Sequence, residues 1–394
     1  MNIKAAYYLL ASSRSFCIQI VFTLNAIYYV SQASLNPLQL VLLGTIMELA
    51  ILFFEIPTGL VADIFGRKKS IIIGTFLIGS AHLLEGSIPS FWAIAIGAAL
   101  WGIGWTFISG AETAWIADEL ENKALDTTLL NGAKCSSLGS FLGIIVSVLV
   151  GIIFTVQIAI LIAGGLLILI AIISSKVIPE TKFISIAREG TSSIKQMKIA
   201  LKESLSLIKG NTILLGLAAI TLFTGLASEG FDRLWGAHFI EGFQMNEEDA
   251  VYWFGAFYAI AFLLNIGLLK IVETYVKERF AIVLVLLNSL LVVAMIYFAI
   301  AEQFLIAAIL YWGIASLRAV NYPLVSVMTN KQLHSQGRAT TLSMYGQLDA
   351  FGQVAGGPLV GIIALYTSVQ GGIITAALLI IPTLFFLWKL RKIA

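Results

Sequence analysis

Gly59-Leu-Val-Ala-Asp63-Ile-Phe-Gly66-Arg67-Lys68-Lys69 is the stretch on which the fold turns. It is a short knot of charge between two long apolar runs, residues 37–60 before it and 70–88 after it. Gly66 permits the tight turn of a very short loop, and Gly59 is expected to let two helices approach closely. Asp63 stands at a helix end facing cations, where it can bond to backbone or to Arg67. A bilayer core about 30 Å thick takes about 20 helical residues to cross, and both flanking runs meet that length.

The same ruler applied outward gives twelve spans: 6–30, 37–60, 70–88, 90–117, 132–154, 156–175, 211–239, 249–271, 280–301, 303–329, 339–365 and 367–388. The apolar start running on to Val30 exceeds a signal-peptide core and is expected to stay as a first span. Composition agrees, with 59% hydrophobic and 12% charged residues and a mean hydropathy of +0.94. Soluble proteins carry about 25% charged residues, so a cytosolic enzyme, a disordered regulator and a nucleic-acid binder are excluded. Cys17 and Cys135 lie in apolar stretches and read as packing residues, and the three histidines form no zinc-hydrolase pattern.

Basic residues set the orientation. With the N-terminus inside, 21 of the 24 Lys and Arg fall in inner segments, and the remaining Arg14, Arg233 and Arg318 lie within spans. The positive-inside bias therefore predicts both termini in the cytoplasm and an even number of spans. The longest polar stretch divides the chain into residues 1–175, a cytoplasmic linker 176–210 and residues 211–394. The linker's apolar spacing over 194–208 fits an amphipathic helix on anionic lipid, or a solvated connector. A shift of 210 residues sets Glu273 on Asp63, Lys277 on Arg67 and Arg279 on Lys69, an acid–base spacing expected of an internal repeat.

The loop resembles the signature of the major facilitator superfamily, with Gly59, Asp63, Gly66, Arg67 and Lys68 at the matching places. Glu55-Ile-Pro57-Thr58, Gly110-Ala-Glu112-Thr-Ala-Trp115-Ile-Ala-Asp118 and Arg338-Ala-Thr-Thr-Leu-Ser343 are similar to bacterial, drug-efflux-like members. The resemblance implies an all-α integral membrane protein: twelve transmembrane helices in two pseudo-symmetric six-helix bundles rocking about a midplane cavity. It also implies that Asp63, Arg67 and Asp118 form a charge latch on the cytoplasmic side, with Glu55, Glu273, Lys277 and Arg338 belonging to the same gate. The Gly-Pro-rich run that drug/proton antiporters of this family carry in span 5 is found instead in span 11, from Gly352 to Gly361. Their span-4 arginine is absent from Ala98-Ala99-Leu100-Trp101.

Charge within spans marks function, because an ionised side chain at the bilayer centre costs at least about 2.5–3.5 kcal/mol and needs a partner or water. Six acids, Glu48, Glu55, Glu112, Glu229, Asp232 and Asp349, stand against three arginines. Excess acid suits proton exchange or a cationic substrate. Depth along the helices predicts that Arg14 pairs with Glu112, with Glu48 or Glu55 nearby, that Arg318 pairs with Asp349, and that Glu229 pairs with Arg233 at i, i+4. Structural salt bridges are the plainer reading of each. Asn25, Trp105, Trp115, Trp235, Asn321, Tyr322 and Gln347 are candidates for the cavity wall, where stacking and cation–π contacts suit amphipathic cations. For the tryptophans, packing or an interfacial belt is the bland alternative.

No ATP-binding loop and no convergent nucleophile or metal cluster occurs, so neither a cofactor nor an enzymatic role is expected. The expected function is proton-coupled antiport exporting small amphipathic or cationic compounds across the bacterial inner membrane by a monomer. The alternative is metabolite or sugar uptake, which a sparse amide and hydroxyl lining of the cavity disfavours. A membrane enzyme or receptor is remote.

Overall fold

The computed structural model describes residues 2–120, 124–183, 185, 202, 205–276, 279–333 and 338–391; of Arg338 and Ala339 it describes the backbone. Twelve of its helices are long and apolar enough to cross a membrane. In chain order they are α1 (Ile3–Ile27, extended by a π-helical turn Tyr28–Gln32), α2 (Pro37–Phe65), α3 (Arg67–Ser87), α4 (Phe91–Leu120), α5 (Leu125–Ile153) and α6 (Val156–Val177). The second set is α7 (Thr212–Gly242), α8 (Glu247–Tyr275), α9 (Phe280–Ile300), α10 (Phe304–Lys331), α11 (Arg338–Tyr366) and α12 (Val369–Leu390). Short polar side chains start several of them by accepting from first-turn amides: Asn2 on α1, Thr155 on α6, Asn211 on α7 and Ser368 on α12.

The chain folds into two compact units. One comprises residues 1–35, 46–190 and 245–259, the other 36–45, 191–244 and 260–394. In the first, α1 packs on α4, α5 and α6, α3 packs on α4 and α6, and α5 meets α6. In the second, α7 packs on α10, α11 and α12, α9 packs on α10 and α12, and α11 meets α12. These are the same pairings six helices on, which is the internal repeat written as packing. Each unit has its own core, built around Ile71, Trp115 and Ile116 in the first and Leu214, Leu284, Val320 and Leu387 in the second.

Close packing between apolar helices depends on missing side chains, since lipid supplies no hydrophobic drive for helices to associate. A Cβ on Gly79 of α3 would lie 2.9 Å from the Gly164 carbonyl of α6, and one on Gly164 would lie 2.9 Å from the Gly79 carbonyl. Gly59 departs from expectation. It is exposed, and nothing lies within 4 Å of where its Cβ would be, so it does not seat a neighbouring helix. Gly66 meets expectation as the whole link between α2 and α3, at φ +117°, a conformation natural only to glycine. The amphipathic helix expected over 194–208 falls mostly outside the described residues, although 205–210 are helical.

Candidate functional site

The second unit encloses a cavity of about 620 Å³ lined by α7, α9, α10, α11 and α12. Arg318 of α10 and Asp232 of α7 meet across it in a two-pronged ion pair, with N–O distances of 2.5 and 2.6 Å. The guanidinium carbon also lies 5.4 Å from the centre of the Phe231 ring. This corrects the expected Arg318–Asp349 pair, because Arg318 spends both prongs on Asp232. Asp349 of α11 instead accepts from the Gln353 amide one turn on, at 2.9 Å. Among the described residues no cation stands within ion-pair distance of it. Two carboxylates thus face the cavity against one guanidinium.

The remaining wall is more polar than the sequence reading expects. Asn288, Asn321 and Gln353 bring amides, and Thr221, Thr224, Ser228, Ser326 and Thr329 bring hydroxyls. The sparse polar lining expected from sequence is therefore corrected. The hydroxyls and amides sit on helices whose apolar faces form the core, and one-helix hydropathy does not show which side they take. Tyr322 lines the cavity as expected. Glu229, Trp235 and Gln347 do not line it. Glu229 is 3% exposed and pairs with Arg233 at 3.1 Å, and a Cβ on Gly44 would collide with its carboxylate. Trp235 is a packing residue, its ring 4.5 Å from that of Tyr311.

The first unit holds a different pair. Arg14 and Glu112 form the expected ion pair, with side chains only 8% and 14% exposed. Trp101 and Trp105 stack on the same α4, their planes 8° apart, with Trp105 partly exposed. Trp115 does not face a cavity. It is 1% exposed and its indole donates to the Pro179 carbonyl at 2.7 Å. Asn25, Glu48 and Glu55 are half-buried on α1 and α2.

At the α2–α3 turn Arg67 pairs with Asp63 and stands 3.7 Å from Asp118. The Lys68 amide donates to Glu180 at 2.9 Å. Glu119 accepts from the Thr181 amide and hydroxyl and the Lys182 amide at 2.5, 2.8 and 2.9 Å. Residues 179–182 are thereby strapped to the ends of α3 and α4, a role for Glu119 and Glu180 that the sequence reading missed. In the matching loop of the second unit Glu273 is exposed, while Lys277 lies outside the described residues.

A second omission is in α3. His82 Nδ1 lies 2.6 Å from Glu85, which also accepts from the Tyr29 phenol at 2.7 Å, while the Tyr28 phenol donates to the Glu85 carbonyl at 2.7 Å. His82 and Glu85 are 3% and 4% exposed. The signal was available as a His-x2-Glu spacing inside an apolar run. It staples the π-helical end of α1 to α3.

Twelve apolar helices in two units of repeated packing, one enclosing a cavity edged with charge and amides, define a membrane transporter of small solutes. The Major Facilitator Superfamily matches residues 7–348, and the chain belongs to that family. Its members are transporters rather than enzymes and need no cofactor. The chain is 23% identical over 371 residues to the uncharacterized MFS-type transporter YxaM of Bacillus subtilis (strain 168), which covers 93% of this chain and 91% of that protein. Its fold is similar to that of the nucleoside transporter NupG, with a TM-score of 0.74, 13% identity and 100% of both chains covered. It is also similar to a bacterial homolog of the human lysosomal transporter Spinster, with a TM-score of 0.77, 15% identity, and 99% and 96% covered.

Proposed function

We propose that the chain is a proton-coupled antiporter that exports small amphipathic cations, with Asp349 as the exchanging carboxylate. The observation that carries this is Asp349 itself: it lines the cavity, and its hydrogen-bond partner is an amide rather than a cation. An amide serves either protonation state, donating through nitrogen to a carboxylate or accepting through oxygen from a carboxylic acid. Asp349 then holds a proton or a cationic substrate, and one displaces the other. Exchange drives transport when the two conformations differ in affinity for them. Asp232 is already engaged by Arg318, and Tyr322 offers its exposed ring to an apolar body. The distribution of basic residues supports an inner-membrane orientation with both termini in the cytoplasm.

Inside-out vesicles carrying a proton gradient test this. Adding a lipophilic cation is expected to release protons through the wild type and not through Asp349→Asn. Proton release by Asp349→Asn at the wild-type rate removes Asp349 from the role. The amides and hydroxyls of the wall favour a second reading, uptake of a neutral polar solute, and the structural likeness to a nucleoside transporter is compatible with it. Uridine or sugar accumulation with no response to cations would establish that alternative.

A further inference from the structure

The cavity contains a directional relay of amides. Asn288 is 1% exposed in the middle of α9, a helix otherwise almost wholly apolar. Its Nδ2 donates to the Leu284 carbonyl at 2.8 Å. A carbonyl only accepts, so this bond fixes which end of the Asn288 amide points where. Asn288 Oδ1 is consequently turned to Asn321 of α10 and accepts from its Nδ2 at 2.9 Å. The polarity passes along the chain and leaves Asn321 Oδ1 as the free end. Asn321 lines the cavity, and its oxygen is not among the sealed polar atoms.

Asn321 Oδ1 is therefore an acceptor without a donor of its own on the wall of a cavity that also holds the Asp349 carboxylate.

We infer that this wall of α10 is the hydrogen-bonding subsite for the substrate's cationic head, and that it selects cations bearing N–H groups over quaternary ones. The inference rests on the cavity binding cations, as proposed above, and adds the chemistry of the head group. A primary ammonium has donors for both the Asp349 carboxylate and Asn321 Oδ1. A quaternary ammonium has none and leaves Asn321 Oδ1 desolvated and unpaired, which is the costlier half of hydrogen-bond discrimination. Asn288 is a positioning residue: without it the Asn321 amide is free to turn its nitrogen to the cavity. A plain interhelical staple between α9 and α10 would affect all ligands alike.

Calorimetric titration of the purified full chain in detergent, with 2-phenylethylammonium and its N,N,N-trimethyl analogue, separates these readings. The wild type is expected to bind the primary ion at least about tenfold more tightly, the worth of one well-made hydrogen bond. Asn321→Leu and Asn288→Leu are expected to weaken the primary ion by about tenfold more than the trimethyl ion. Equal affinity for the two ions in the wild type, or equal losses for both in the variants, overturns the subsite while leaving the cation site standing. Binding of neither ion by the wild type overturns the cation reading of the cavity, and the subsite with it.

Discussion

Two ion pairs of the same chemistry sit in different surroundings, and the difference predicts losses of different size when one partner is removed. Arg14 and Glu112 have side chains 8% and 14% exposed, and Arg14 Nη1 and Glu112 Oε1 are sealed without a hydrogen-bond partner among the described residues. Arg318 and Asp232 are 29% and 46% exposed and face the cavity. Glu112→Gln keeps the shape of the side chain but strands a buried guanidinium, an uncompensated charge that costs about 3–5 kcal/mol. Asp232→Asn strands a guanidinium at the cavity edge, and the loss is expected to be smaller than that of Glu112→Gln.

Because the buried pair is incompletely hydrogen-bonded, its attraction offsets little of its desolvation. The double variant Arg14→Met/Glu112→Leu is therefore expected to regain the wild-type stability or exceed it. Thermal unfolding of the purified protein in detergent measures all of these against one baseline. The expected order is Glu112→Gln far below Asp232→Asn, with the double variant at or above wild type. A Glu112→Gln protein as stable as Asp232→Asn, or a double variant as unstable as the single one, would refute the reasoning that burial decides.

Gly66→Ala puts a side chain at φ +117° with its Cβ 2.8 Å from Glu180 Oε2, and should lower stability by about 1–3 kcal/mol in the same unfolding assay. Trp115→Phe leaves the Pro179 carbonyl without its indole donor. It should cost about 1–3 kcal/mol of stability and leave ligand affinity in the calorimeter unchanged. Glu119→Gln loses the charge that three donors of Thr181 and Lys182 converge on, and limited trypsin digestion should cut after Lys182 faster than in wild type.

Hydropathy made the twelve crossings legible because the bilayer imposes one length on all of them. It read helix ends less well: α2 runs to Phe65 rather than residue 60, and α5 begins at Leu125 rather than 132. Backbone hydrogen bonding carries a helix through polar residues until a left-handed turn or a cap stops it, and hydropathy does not register that. Pairing within one helix was readable, as Glu229 with Arg233 shows. Pairing between helices was readable only as height. Arg318 and Asp349 share a level, but Asp232 occupies the azimuth that Arg318 faces. For the same reason Trp115 and Trp235, which share helices with cavity residues or charged pairs, turned out to face the core. Glu85 lies inside the apolar run 70–88, where its partner His82 three residues back makes a pair within one helix that mean hydropathy does not register.

The excess of acid over arginine within the spans takes a different meaning once the pairs are drawn. Glu112, Glu229 and Asp232 each hold one of the three arginines. A carboxylate so engaged cannot take up a proton without leaving its arginine charged and alone, which the membrane penalises. Proton exchange is therefore cheapest at a carboxylate with no arginine to abandon and a partner indifferent to its protonation. Asp349, bonded to the Gln353 amide at the cavity wall, meets both conditions. On this reading the three arginines engage three of the other span acids, and Asp349 is the cavity carboxylate left without one. The consequence can be checked by moving the arrangement: Gln353→Arg should give Asp349 a fixed counter-charge. Cation-evoked proton release in inside-out vesicles should then cease while the protein folds normally. Release at the wild-type rate in Gln353→Arg would mean that exchange occurs elsewhere.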